Sequence, residues 1–141
     1  MSEGDAVIPS PERQEAFLST MPNVVVATVR RDGLPQLTPN WYLWTGEELW
    51  ISTSADTAKI HNLRRDPRIV LCIDDPESGD YVQVIGTATI IEGPAVREPT
   101  LALIRKYRDQ PDVIPHWESI SALSECVIIV VHPERFLWHD R

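Results

Sequence analysis

The sequence has no apolar run long enough to span a membrane, and its first residues lack the apolar stretch of a signal peptide. It has only two cysteines, Cys72 and Cys126, both within apolar runs, and these are too few for a zinc site. We therefore expect a cytoplasmic protein without bound metal, in which both cysteines are reduced; a disulfide between neighbouring strands is the alternative. The 141 residues fit one domain, with residues 1–10 as a flexible N-terminal segment.

Basic residues are also scarce. Thirteen lysines and arginines stand against 21 acidic residues, and the formal net charge is −8. A chain this acidic is not expected to bind nucleic acid. Four basic residues nevertheless fall within ten positions, namely Lys59, Arg64, Arg65 and Arg68, with Asp66 among them. If the protein binds a negatively charged ligand, we expect it to bind at this segment.

Recognisable catalytic motifs are absent as well. The sequence contains no G-x-S-x-G nucleophile motif, and no G-x-G-x-x-G follows a predicted strand. No pair of carboxylates stands out as an acid and base, and no histidine has metal-ligand spacing with another histidine or a cysteine. The catalytic residues are therefore not identified, which fits a protein whose cofactor supplies the chemistry.

The periodicity of apolar residues predicts six strands and four helices. Strands are predicted over residues 23–30, 34–44, 48–53, 68–74, 81–92 and 125–133, the last followed by a short extended tail. Helices are predicted over residues 11–20, 56–65 and 99–108, with a further short helix after Pro115. Because most strands follow one another in hairpin-like runs, a mainly β protein that closes as a barrel, with flanking helices, is favoured over an open sheet.

Prolines and glycines add local detail to this prediction. Asp32-Gly33 is a tight-turn signal between the first two strands. Pro35 and Pro39 cannot donate hydrogen bonds to a ladder, so their strand should be an edge strand or bulged near its middle. Gly86, inside the long strand, predicts a bulge or a sharp bend.

Residues 51–68 are the strongest candidate for a binding site. A strand ends in the small hydroxyl residues Thr53 and Ser54 and leads directly into a helix. Backbone N–H groups at the start of a helix attract anions, and Lys59, expected at the surface, is close enough to reach the same anion. The pattern fits a phosphate monoester. An ordinary capped helix with a solvated basic face is the alternative.

Aromatic residues are concentrated in residues 37–44, which contain Trp41, Tyr42 and Trp44. On a strand, Trp41 and Tyr42 point to opposite faces, so one face can line a planar ligand while the other packs in the core. A plain hydrophobic core strand is the alternative.

The segment STSADTAKIHNLRRDPRIVLCID resembles the signature of the flavin- and deazaflavin-dependent oxidoreductases of the pyridoxamine-phosphate-oxidase-like superfamily, and most of all their F420-binding branch. Three other segments share the likeness: VVVATVRRDGLPQLTPNWYLW, YVQVIGTATIIE and YRDQPDVIPHW. The resemblance implies a six-stranded antiparallel split β-barrel and a homodimer with two cofactor sites at the subunit interface. The C-terminal arginine-and-histidine motif of true pyridoxamine-phosphate oxidases is missing, so that activity is not expected.

The resemblance also assigns residues to the cofactor. By position, Thr53, Ser54 and Lys59 contact the phosphate, with Asn62 nearby. The strand segment Leu37, Thr38, Pro39, Asn40 and Trp41 runs along the isoalloxazine ring. Trp117 and Trp138 approach from the partner subunit. Independently of the resemblance, the positive charges of Arg64, Arg65 and Arg68, which follow the phosphate site, are expected to attract the acidic tail of F420.

The expected function is therefore hydride transfer between a reduced deazaflavin or flavin and an unsaturated small molecule, with F420 favoured over FMN. Two alternatives remain open. One is an FMN protein that stores or senses the cofactor without turnover. The other is a haem-handling split barrel, with His61 or His116 as axial ligand.

Overall fold

A computed structural model describes residues 8–140, so most of the predicted flexible segment, residues 1–10, lies outside the described residues. The helices are α1 (Pro11–Thr20), α2 (Ala58–Arg65), α3 (Arg97–Tyr107) and α4 (Gln110–Leu123). The strands are β1 (Val24–Val29), β2 (Pro35–Asn40), β3 (Leu43–Trp44), β4 (Leu49–Ser54), β5 (Arg68–Asp74), β6 (Tyr81–Ile91) and β7 (Cys126–His139). None of the helices in this part of the chain is long and apolar enough to cross a membrane.

The strands form one antiparallel sheet in the order β2-β1-β5-β6-β7-β4-β3, curled into a half-barrel. The prediction of a mainly β protein with flanking helices is confirmed, but the prediction of six strands is wrong, because residues 34–44 form two strands at opposite edges of the sheet. Between them the backbone of Tyr42 leaves the ladder: its N–H donates to the Tyr107 hydroxyl and its carbonyl accepts from Lys106. The proline-bearing β2 is an edge strand, as its sequence predicts.

Strands β6 and β7 make the longest pairing in the sheet, and its register shifts between Ile85 and Gly86. This confirms the predicted bulge at Gly86. A Cβ at Gly86 would overlap the backbone carbonyl of His132, so glycine is required there by the close approach of the two strands. Strand β7 continues through residues 134–139, where the sequence predicts only a short tail.

The inner face of the curled sheet carries the hydrophobic core, which includes Val26, Ile51, Leu71 and Val84. Helix α1 packs on this core through Leu18, whose carbonyl accepts a hydrogen bond from the buried Tyr42 hydroxyl. The alternating burial of β5 shows that only one face of that strand is covered within the chain.

Helices α3 and α4 pack on each other through a second, smaller apolar cluster. Helix α4 begins at Gln110 and contains Pro115, so the prediction of a short helix after that proline is wrong. The proline lacks one N–H and removes a single hydrogen bond near the start of the helix, and packing against α3 offsets that loss. The helix forms a wall of the cavity described below.

Candidate functional site

A cavity of about 570 Å³ lies between the ends of β2 and β4 and the helices α3 and α4. Its polar lining consists of Asn23, Asn40, Ser52, Thr53, Ser54 and Ser124. Its apolar lining consists of Leu103, Ile104, Ile120, Leu123 and Cys126. Its volume and its few convergent polar groups are those of a small-molecule site.

Trp41 forms an aromatic wall of this cavity. Its ring stacks on Tyr107 with the centroids 4.0 Å apart and the planes within 6° of parallel. The His116 ring lies 5.7 Å from Trp41 at an interplanar angle of 21°, and the Arg108 guanidinium lies 4.8 Å from the centre of the Trp41 ring. These contacts fix the orientation of the indole before any ligand binds.

The backbone next to this wall is held by two side chains of α3. The Tyr107 hydroxyl accepts from the Tyr42 N–H at 2.9 Å and lies 2.8 Å from the Pro22 carbonyl oxygen, to which it donates. The Lys106 ammonium donates to the carbonyl oxygens of Met21 at 2.7 Å and Tyr42 at 3.0 Å. Burial lowers the pKa of Lys106 to about 8. These contacts tie α3 to the break between β2 and β3, where the cavity wall begins.

The end of β4 and the start of α2 bring hydroxyl groups next to a buried ammonium. The Lys59 Nζ is 3.4 Å from Thr53 Oγ1, and that oxygen is 3.4 Å from Thr57 Oγ1. Lys59 is only 8% exposed, which corrects the expectation that it lies at the surface. It forms no ion pair with any carboxylate in the described part of the chain, and burial lowers its pKa. A buried cation without a counter-ion is costly, and an anion beside Thr53 would relieve that cost.

The arginines that follow Lys59 already have partners in the chain. Arg64 pairs with Glu92, and Arg68 pairs with Asp66 at 2.7 Å. The hydrogen bonds from Arg68 hold the pKa of Asp66 at about 2. Arg65 donates to the Val29 carbonyl at 2.8 Å. An acidic ligand that used these arginines would have to compete with these partners.

The cavity brings together five of the predicted site residues: Pro39, Asn40, Trp41, Thr53 and Ser54. Lys59 lies behind Thr53, which it contacts. The Thr38 hydroxyl donates to the Asn40 side-chain oxygen at 3.1 Å, so Thr38 positions a lining residue.

Besides Arg64, which pairs with Glu92, four further predicted residues do not line the cavity of their own chain. Asn62 is buried and donates to Thr28, so its amide fastens α2 to β1. Leu37 is 62% exposed on β2. Trp117 packs on the small cluster between α3 and α4, and Trp138 packs against Phe17 at the other end of the sheet.

Sequence reasoning missed the helical wall of the cavity. The sequence marks His116 only as a candidate haem ligand, and the apolar side chains of α3 and α4 show only the ordinary pattern of amphipathic helices. His61, the other haem candidate, is exposed on α2. Among residues 8–140, no three His, Cys, Asp or Glu side chains are grouped so that they could hold a metal ion.

Comparison with known families agrees with this geometry. The family model for pyridoxamine 5'-phosphate oxidase matches residues 10–138. The chain belongs to the pyridoxamine 5'-phosphate oxidase family. Its half-barrel is thus an example of the split-barrel fold of that family.

Solved structures of this fold class align over nearly the whole chain. An F420 reductase is 28% identical, with a TM-score of 0.71, over 92% of this chain and 98% of that one. The conserved hypothetical protein Rv2991 from Mycobacterium tuberculosis is 24% identical, with a TM-score of 0.81, over 99% of this chain and 90% of that one. General Stress Protein 26 from Bacillus anthracis is 19% identical, with a TM-score of 0.67, over 91% of this chain and 92% of that one.

Proposed function

We propose that the cavity binds a flavin or deazaflavin cofactor and that the protein transfers a hydride between the reduced cofactor and an unsaturated small molecule. The observation that carries this proposal is the buried Lys59 ammonium, which has a hydroxyl neighbour in Thr53 and no ion-pair partner in the described part of the chain. A phosphate monoester supplies the missing negative charge and accepts hydrogen bonds from the same groups.

The ring of the cofactor is assigned to the side of the cavity formed by Pro39, Asn40 and Trp41. Strand β2 is an edge strand, so backbone groups on its unpaired side are available to the edge of a heterocycle. The Trp41 ring is already held by Tyr107 and adds a rigid planar surface. When bound, the cofactor supplies the hydride chemistry, while these residues bind and orient it and exclude water.

F420 is the favoured cofactor, and FMN is the alternative. The two share a tricyclic ring and a phosphate, so the groups at Thr53, Ser54 and Lys59 serve either one. The F420 reductase aligned above is 28% identical to this chain and supports the first choice. In that case the acidic tail of F420 displaces Glu92 from Arg64, an exchange that both exposed side chains permit.

A homodimer is part of the proposal, with Trp117 and Trp138 approaching the cofactor bound by the partner. Tyr42 is fully buried within its own chain, so it is not available to a partner. The candidate interface is the outer face of the sheet. The strand registers place Val25, Leu37, Val70 and Leu137 on that face, and each of them is at least 38% exposed. An apolar patch of this kind is typical of an interface.

Titration of the purified protein with F420 and FMN, at low and high salt, tests the cofactor assignment. We expect F420 to bind more tightly, with a salt dependence that decreases in Arg64→Gln. Arg97→Gln, which removes an exposed arginine paired with the adjacent Glu98, is the matched control. Protein that purifies with stoichiometric FMN and ignores F420 would decide for FMN, and protein that binds neither would refute the proposal.

Sedimentation tests the dimer and its face. We expect about twice the chain mass of 16.0 kDa at micromolar concentration, and dissociation in Val70→Asp. Ile114→Asp, at a position on α4 that is as exposed as Val70 and does not line the cavity, is the control. A wild-type protein that sediments as a monomer would refute the shared-site arrangement. We also propose a cytoplasmic location. Both cysteines are free thiols.

A further inference from the structure

His116 has an unusual place in the cavity. It follows Pro115 in α4, lines the cavity, and stacks its ring against Trp41 at 5.7 Å. Its two ring nitrogens make no hydrogen bond to any residue between 8 and 140, although the ring is only partly exposed. Its orientation is thus constrained by the aromatic contact, while its hydrogen-bonding groups are free to meet a ligand.

The other polar side chains of the cavity are poor proton donors at neutral pH. Asn23 and Asn40 carry amides, and Ser52, Thr53, Ser54 and Ser124 carry hydroxyls. Cys126 carries a thiol whose pKa is raised by burial. Imidazole is the side chain suited to exchange protons near neutral pH. Of the side chains that line the cavity, His116 is therefore the one equipped to deliver a proton.

We propose that His116 is a catalytic residue that donates the proton accompanying hydride transfer to the substrate. The inference rests on the proposed function. With a conjugated ketone as acceptor, the β-carbon gains a hydride, and both electrons come from the reduced deazaflavin or flavin, which is oxidised. The carbon–carbon π bond shifts towards the carbonyl carbon, and the carbonyl oxygen takes a proton from the His116 imidazolium. The resulting enol becomes the saturated ketone by exchange with water, and the neutral imidazole regains a proton from solvent.

The test compares wild type with His116→Gln, using 2-cyclohexen-1-one and the reduced form of whichever cofactor binds. General acid catalysis typically contributes about 10²–10⁴-fold to the rate. We expect kcat to fall at least about 100-fold, while the cofactor Kd and the acceptor KM change less than about threefold. His61→Gln, on the exposed side of α2, is the control.

A second readout needs no turnover. The phenolate form of 4-nitrophenol accepts the hydrogen bond that the substrate oxygen would receive, and its absorbance reports binding to the oxidised holoprotein. We expect wild type and His61→Gln to bind phenolate at least about 10-fold more tightly than His116→Phe, whose ring cannot donate, since a hydrogen bond to a charged group contributes about 1.5–3 kcal/mol. If His116→Gln does not fold, His116→Asn replaces it.

The outcomes separate the two proposals. Wild-type turnover that is unchanged in His116→Gln, with phenolate binding unchanged in His116→Phe, overturns the role of His116 and leaves the proposed function standing. A holoprotein that binds cofactor but reduces no acceptor overturns the proposed hydride transfer and this inference with it. Equal losses of cofactor affinity and rate would make His116 a binding residue, which also overturns the inference.

Discussion

Replacing Lys59 by methionine should make the protein more stable and the cofactor site weaker. Methionine keeps most of the apolar stem and removes an ammonium that is 8% exposed and has one long hydrogen bond, to Thr53. Burial lowers the Lys59 pKa below the ordinary 10.5. In the pH window between the lowered pKa and 10.5, the folded state without ligand therefore binds fewer protons than the unfolded state. Stability therefore rises with pH across the window, and at neutral pH the charge is destabilising. We expect Lys59→Met to gain on the order of 1 kcal/mol, or about 4 °C in melting temperature.

The effect on binding has the opposite sign. A hydrogen bond between an ammonium and a phosphate contributes about 1.5–3 kcal/mol, which corresponds to a loss of affinity of roughly 10- to 150-fold. Whichever of F420 and FMN binds more tightly is added at a concentration of 100 times its wild-type Kd. At that concentration it should stabilise wild type by about 2.7 kcal/mol. The same concentration should stabilise the variant by only about 0.3–1.4 kcal/mol.

Thermal melts with and without cofactor measure both effects in one experiment. His61→Ala changes an exposed residue of the same helix and should alter neither quantity. A Lys59→Met protein that is less stable than wild type and keeps its cofactor affinity would show that the ammonium serves the fold alone. That result would remove the observation on which the proposed phosphate site depends.

Three further predictions concern the framework of the site. Tyr107→Phe keeps the stacking on Trp41 but removes the hydroxyl that bonds the Tyr42 N–H, so urea unfolding should show a loss of about 1–3 kcal/mol; a loss near zero would mean that water replaces the hydroxyl. Gly86→Ala places a Cβ against the His132 carbonyl and should cost more than about 2 kcal/mol by the same assay, unless the bulge can shift. Because burial lowers the pKa of Lys106 to about 8, the free energy of unfolding should rise between pH 8 and the ordinary lysine pKa of 10.5. The slope against pH should be smaller in Lys106→Met, and equal slopes would contradict the lowered pKa.

Several elements of the fold follow from the sequence alone, because they depend on neighbours along the chain. Asp32-Gly33 predicts the turn between β1 and β2, and Gly33 indeed has a φ of 89°. The prolines of β2 predict an edge strand, and Gly86 predicts the bulge in the pairing of β6 with β7. The strand ending at Ser54 and the helix that follows place Thr53 and Lys59 within a few residues, so their contact is local as well.

The tertiary structure decides the features that join distant segments. Tyr107 supports the wall at Trp41 from 66 positions further along the chain, and helix α4 brings His116 to the same wall. Arg64 meets Glu92 only because α2 packs beside the end of β6, and Lys59 becomes buried only once α2 lies on the sheet. The apolar pattern of a segment predicts which of its faces is buried, but it does not identify the segment that packs against that face. That choice is made by strand register and helix packing across the whole domain.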